Sequence, residues 1–334
     1  LLMEKKQVIV KVIRPTGYLH IGNYLGAVKP LLKMLSEFKE AEVFVFVADI
    51  HGLTDNKPET ILAYRNEVIK DYLAFGLDEY IKSGRVHLFI QSQIGELVSY
   101  LTLFLARYTT FNDLMRVPTL KEKLKANQEE GQANALLGFY PVLMAADILI
   151  HNATIVPVGH DQLPHLEKTR EFAEKFNNEF GVTFNLPQPH SFTSLKLLSL
   201  KGLGKMSKSH PEGALFLNDD KKTILQKISR AETAVEGAMT PNLESLLTMA
   251  IEMGVDVEQF KKDHMAGKQV AGGFKKVLGE VLAKFIGDFQ DRRSRISDAE
   301  VLDVITKGGA AARASAEKTM RKVIETTKFD YSKK

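Results

Sequence analysis

Val43-Phe44-Val45-Phe46-Val47-Ala48 is apolar at every position. Such a run suits a strand buried on both faces, which means a parallel sheet covered by helices. Neighbouring patterns agree. Gln7–Ile13 carries the β-branched Val8, Val10, Val12 and Ile13, a strand-like set. Arg14-Pro15-Thr16-Gly17 breaks it, and Ile21, Leu25, Val28, Leu32 and Leu35 then recur at helical spacing, predicting one amphipathic helix to about Phe38. A helical stretch after Pro58 leads to a third strand near Arg85–Gln91. Beyond a longer, partly helical insertion (about Gly95–Leu137), Thr154–Val158 and Ser194–Leu200 read as further strands. Strands alternating with helices predict an α/β fold with a doubly wound, Rossmann-like parallel sheet and a site at the carboxyl ends of its strands.

Past Pro211 no convincing strand is visible, and Ala231–Gly254 and Gly267–Lys328 pattern as amphipathic helices broken by Gly and Pro. The expected division is a catalytic-type α/β domain over residues 1–210 and an all-helical domain over 211–334, with a last helix able to pack back on the first. A length of 334 residues accommodates two such domains. No apolar run approaches the ~18 residues of a membrane span, and Leu1–Gln7 is too short and too charged for a signal peptide. With no Cys, disulfides, thiolate zinc sites, iron–sulfur clusters and Cys nucleophiles are excluded, which fits a reducing, cytoplasmic setting. A net charge of +4 is mild, so nucleic-acid binding would rest on local basic patches. Lys and Arg recur in Lys221–Arg230, Lys261–Lys276 and Arg313–Lys334, as either a phosphate-contacting surface or solvated helix faces.

Two segments carry chemistry. Pro15-Thr16-Gly17-Tyr18-Leu19-His20-Ile21-Gly22-Asn23 lies where the first strand passes to the first helix. Free N–H groups at a helix start favour anions, and Gly17 and Gly22 would let a nucleotide lie against the main chain. Thr16, His20 and Asn23 would add side-chain donors; a plain N-terminal turn with a satisfied His reads the same way. Gly202-Leu203-Gly204-Lys205-Met206-Ser207-Lys208-Ser209-His210-Pro211 then puts two Lys and two Ser in a loop flanked by Gly and Pro. Two ammonium groups on a movable loop can neutralise a leaving pyrophosphate. Alone, Lys-x-x-Lys is equally a solvated face; the pair of segments is harder to attribute to chance.

The pair resembles the signatures of class I aminoacyl-tRNA synthetases, here His20-Ile21-Gly22-Asn23, with Asn in its last place, and Lys205-Met206-Ser207-Lys208-Ser209. Gly22-Asn23-Tyr24-Leu25-Gly26-Ala27, Tyr140-Pro141-Val142-Leu143-Met144-Ala145-Ala146-Asp147-Ile148-Leu149 and Ile155-Val156-Pro157-Val158-Gly159-His160-Asp161-Gln162 narrow the resemblance to the bacterial tryptophanyl branch. It extends through Leu166-Glu167 and Arg170 and covers most of the chain. By position it implies that Asp147 accepts the indole N–H of L-tryptophan, with Met144 and Ile148 against the ring, Tyr140 and Gln162 at the ammonium and carboxylate, and His51 and Val156 nearby. It implies ATP contacts from Arg14, Pro15, Thr16, Gly22, Asn23, Gly159, His160 and Asp161, with Leu197 by the adenine. It further implies that Lys205, Met206, Ser207, Lys208 and Ser209 form the phosphate loop, and that His20, Asn23, Lys205 and Lys208 serve catalysis. The reaction implied is tryptophanyl-adenylate formation followed by transfer to tRNA(Trp), with an anticodon-binding helical domain and a homodimer whose interface lies near the insertion.

Elementary chemistry agrees with parts of this. An indole offers one donor, so a single acceptor at the base of an apolar slot suits it; Asp147 closes such a run, although an Asp bonding a neighbouring backbone would look the same. Mg2+ carried with ATP is expected, because two Lys leave polyphosphate charge uncompensated. Without Cys, His151, His160 and His165 make a poor zinc set. One departure stands out: the family usually has a Ser/Thr-Gly pair where this chain has Lys11 and Val12. Competing expectations are a tyrosyl enzyme, a small-molecule nucleotidyltransferase of similar fold, and a synthetase-like nucleic-acid-binding regulator that has lost charging.

Overall fold

The computed structural model of the chain describes residues 6–117, 120, 134–191, 195, 197–202 and 204–329, and of residue 161 the backbone only. Its sheet comprises β1 (Val8–Ile13), β2 (Glu42–Val47), β3 (Val86–Ile90), β4 (Ile155–Val158) and β5 (Gln188–Ser191), all parallel and ordered β3-β2-β1-β4-β5. The order reverses between β1 and β4, and a crevice at such a point is where doubly wound sheets bind ligands. The first four strands fall within a residue or two of their expected bounds.

The fifth does not. Ser194–Leu200 was expected as a strand, yet β5 is Gln188–Ser191, mostly exposed and containing Pro189. A strand on the margin needs neither an apolar run nor every backbone donor, so burial patterning overlooked it. Residues 194 and 196 lie outside the described residues; Leu197 and Leu200 are buried in the core, and Leu198 makes an isolated antiparallel bridge to Lys205.

The sheet separates two cores by simple alternation. Ile9 and Ile13 of β1 and Val43, Val45 and Val47 of β2 face one core, together with the helix that begins at Ile21. Val10, Phe44, Phe46 and Phe89 face the other, with the helices Ala135–Leu149 and Leu163–Phe180. That first helical run reaches Glu37 as predicted, but Tyr24–Val28 is a π turn. Tyr24 is wedged between Phe75 and Phe285, with ring centroids 4.7 Å from each, so the widened turn is stabilised by aromatic packing across three segments.

After Ser191 the described residues hold helices and no strand: Lys221–Ser229, Pro241–Glu252, Glu258–Met265, Ala271–Ser294 and Asp298–Thr327. Ala231–Thr240, expected as helix, is irregular. Leu243, Leu278, Ile286 and Phe289 join the same core cluster as β1, so packing runs continuously from the sheet into the helical region. The last helix returns to the sheet. Gly308 abuts the Leu88 backbone of β3, Arg313 donates to the Gln93 carbonyl at 2.5 Å, and Gln93 donates to the Ile305 carbonyl at 3.0 Å. A helix laid along an edge strand removes its unpaired groups from further pairing. No helix among the described residues is long and apolar enough to cross a membrane.

Candidate functional site

The carboxyl end of β1 turns at Gly17, whose φ of 109° is readily open to glycine alone. It delivers His20 to the start of the helix, 5% exposed. The helix mouth is less open than expected. The His20 N–H donates to Asn23 Oδ1 at 3.0 Å, and the Ile21 N–H to the Leu215 carbonyl at 2.8 Å. Asn23 is therefore a cap holding the turn, and fewer amides are free for an anion than a bare helix start would offer. Burial, reinforced by the Lys208 and Lys205 ammonium groups, pushes the His20 imidazole down to about 4. It is a neutral donor at ordinary pH, and its buried Nδ1 has no hydrogen-bond partner among the described residues.

Far along the chain, the second segment folds onto this turn. Gly202 and Gly204 take φ of 73° and 68°, and the Met206 N–H donates to the Leu197 carbonyl at 2.9 Å. Buried Met206 then lies against Gly22: a Cβ there would meet its sulfur at 3.8 Å and the His20 ring at 3.0 Å. Lys208 Nζ donates to the Gly17 carbonyl at 2.7 Å and to Thr16 Oγ1 at 3.3 Å. Lys205 and Ser209 are exposed and Ser207 half-buried on the same loop. Arg14 pairs with Asp55. Leu197 packs into the core. Pro15 and Gly159 are buried and His160 exposed at the end of β4, and the Asp161 side chain lies outside the described residues.

The other half of the site lies across the sheet. Asp147 sits on the inward face of the helix Ala135–Leu149, 5% exposed, among buried Tyr140, Ile148 and Val156, with Met144 half-buried. Tyr140 Oη is 2.7 Å from His165 Nε2, and its ring meets that of His51 edge-on at 5.7 Å. Gln162, half-buried, ends the short 3-10 turn His160–Gln162 after β4. Val12 belongs to this face too. It is the partner of Phe46 in the β1–β2 ladder, yet 43% exposed on an interior strand.

Sequence reading overlooked Gln91. Its amide nitrogen donates to both Asp147 oxygens, at 2.7 and 2.8 Å, and its amide oxygen accepts the His51 N–H at 2.9 Å. The available signal was a polar residue directly after an apolar strand, where this fold places ligand contacts. Burial, against the Gln91 hydrogen bonds and with a smaller push from Asp49, drives the Asp147 carboxyl up to about 8. Asp49 also accepts the Ser92 hydroxyl at 2.6 Å and its N–H at 3.0 Å, fastening the β2 and β3 loops together.

The arrangement combines a lysine-bearing loop over a glycine turn with one carboxyl buried among apolar side chains. Comparison with known proteins matches the family described as tRNA synthetases class I (W and Y) to residues 3–288. The tryptophan--tRNA ligase of Porphyromonas gingivalis is 36% identical, covering 95% of this chain and 98% of that protein. That of Helicobacter pylori strain 26695 is 34% identical, covering 97% and 98%. Among solved structures, tryptophanyl-tRNA synthetase from Mycoplasma pneumoniae superposes with a TM-score of 0.81 at 27% identity, covering 98% of this chain and 99% of that one. The Campylobacter jejuni enzyme complexed with ADP and tryptophan gives 0.80 at 27% identity, covering 97% and 100%.

Proposed function

The chain belongs to the class I tRNA synthetases for tryptophan and tyrosine, and from that premise we propose that it activates L-tryptophan with ATP and transfers it to tRNA(Trp). The single observation that carries tryptophan over tyrosine is the 36% identity to a tryptophan--tRNA ligase over nearly the whole chain, because a buried acceptor such as Asp147 would take a tyrosine hydroxyl as readily as an indole N–H. Asp147, buried among apolar side chains, suits the one N–H of an indole; phenylalanine forgoes that hydrogen bond, and tyrosine is excluded by shape.

In this reading a carboxylate oxygen of tryptophan attacks the α-phosphorus of ATP. The bond to the bridging oxygen breaks, and pyrophosphate leaves with both electrons. The ribose hydroxyl of the tRNA's terminal adenosine then displaces AMP from the adenylate. No covalent enzyme intermediate is needed. The chain supplies alignment, worth ~7–11 kcal/mol in favourable cases, and donors to the developing charge, at ~3 kcal/mol each. Lys205 and Lys208 take the leaving pyrophosphate, neutral His20 donates to phosphate oxygens, and Gly17 and Gly22 leave room for the nucleotide. Tyr140 and Gln162 hold the amino acid's polar end, while Met144, Ile148, His51 and Val156 wall the ring. Mg2+ enters with ATP as part of the substrate. The Campylobacter jejuni relative, complexed with ADP and tryptophan, supports both ligands.

The helical region from residue 211 serves as the anticodon-binding domain, and the enzyme works in the cytoplasm as a homodimer. Supporting the dimer, Leu103 and Phe111 are each 70% exposed in the insertion and Phe329 61%, its ring 5.6 Å from that of Phe104. Sedimentation checks the dimer. Pyrophosphate exchange with each of the twenty amino acids, followed by charging of tRNA, tests the function. Exchange with tryptophan alone is expected; exchange with tyrosine, or none, refutes it.

A further inference from the structure

We propose that Gln91 is the positioning residue for tryptophan selection, holding the Asp147 carboxylate so that an acceptor lone pair faces the indole N–H. The proposal rests on the reading of the slot given above.

Gln91 is 1% exposed and directly follows the last residue of β3. Its amide can face only one way. The oxygen accepts the His51 N–H at 2.9 Å, so the nitrogen must face Asp147. A flipped amide would set its carbonyl against the carboxylate and its NH2 against an N–H. Both neighbouring loops are fixed. Asp49 accepts the Ile50 N–H at 2.9 Å and the Ser92 N–H at 3.0 Å, so the residues beside His51 and Gln91 share one anchor.

The terminal torsion of an aspartate is broad, with no staggered well to set its angle. The Gln91 donor, shared between the two oxygens at 2.7 and 2.8 Å, supplies that missing constraint. A carboxylate has about four acceptor positions, so one shared N–H leaves room for the indole. Gln91 therefore touches no substrate and acts through Asp147.

The test measures pyrophosphate exchange with tryptophan and with its benzothiophene analogue, in which sulfur replaces the N–H. Wild type is expected to prefer tryptophan. In Gln91→Met, assayed above pH 8 where the Asp147 carboxyl is ionised, the tryptophan KM should rise about ten- to a hundredfold, as for loss of a hydrogen bond to a charged group. The ATP KM should stay unchanged, and the preference over the analogue should shrink by a similar factor. Gln91→Leu, close in size and likewise without a donor, should show the same pattern. Either variant retaining the wild-type preference overturns the role of Gln91, as does a parallel rise in the ATP KM. A wild-type enzyme inactive with tryptophan overturns instead the reading of the slot.

Discussion

Lys208 Nζ donates to the Gly17 carbonyl at 2.7 Å, so the cationic loop is latched to the β1 turn across 191 positions of sequence. Burial, with a smaller push from Arg14 and opposed by Asp71, brings this ammonium down to about 8. Polyphosphate favours the charged form, so above pH 8 ATP binding must take up a proton. The KM for ATP is expected to climb with pH above 8, by at most about tenfold per unit. In Lys208→Ala that slope should vanish and adenylate formation should fall by about a hundred- to a thousandfold, with tryptophan binding retained. Pyrophosphate exchange from pH 7 to 9.5 checks both.

Asp147 opposes stability in the empty protein. Its folded value, about 8, lies above the usual carboxylate range, so the unfolded chain binds fewer protons between pH 4 and 8 and stability falls as pH rises through that window. Asp147→Asn removes the penalty. At pH 8 the variant should melt a few degrees higher than wild type while its tryptophan KM rises. A lower melting temperature would contradict the stated cost of the buried carboxyl.

His151 gives the opposite sign of pH dependence. Its ring stacks on Phe44 at 4.2 Å, and burial, aided by His87, lowers it from 6.5 to about 3. The unfolded chain takes up this proton first, so stability is lost as pH falls below 6.5. One such histidine loses roughly 3 kcal/mol between pH 6.5 and 4. His20, lowered to about 4, adds in the same direction. Urea unfolding of His151→Phe at pH 7 and 4.5 should show a smaller difference than wild type.

Two helical glycines should respond in opposite ways to alanine. At Gly308 an added Cβ falls on the Leu88 backbone, which cannot yield without moving the last helix off β3. A loss of about 1–3 kcal/mol is expected. Gly287, inside Ala271–Ser294, has nothing within 4 Å of such a carbon, so Gly287→Ala should gain ~0.5–1 kcal/mol. Thermal melts of the two variants check the contrast.

The parts legible in sequence were those with strong local signals. The apolar run at Val43–Ala48 marked a buried parallel strand, and the two Gly- and Lys-bearing segments, which meet through Lys208 and Gly17, stood out by their residues. What stayed hidden depends on distant partners. The exposed β5 is a strand because β4 offers an edge, and Gln91 matters because Asp147 lies 56 positions away. The helix mouth misled in a different way, since the Leu215 carbonyl that takes the Ile21 N–H belongs to a segment nearly two hundred residues on.

Val12 is an exposed β-branched side chain on an interior strand. Strand alternation sets it on the face shared with Phe46 and Val156, against which the helix carrying Asp147 packs, and it is 43% exposed. In the reading proposed above, a β-branched side chain there narrows the slot, so substituents on the indole ring should meet it first. Val12→Gly costs about 1–2 kcal/mol in strand stability and should widen the slot. A methyl group's fit in a hydrophobic pocket is worth on the order of tenfold in selectivity. Exchange with ring-methylated tryptophans should therefore rise about tenfold relative to tryptophan itself in the variant. An unchanged ratio for every ring position would mean that the open side of Val12 faces solvent rather than substrate.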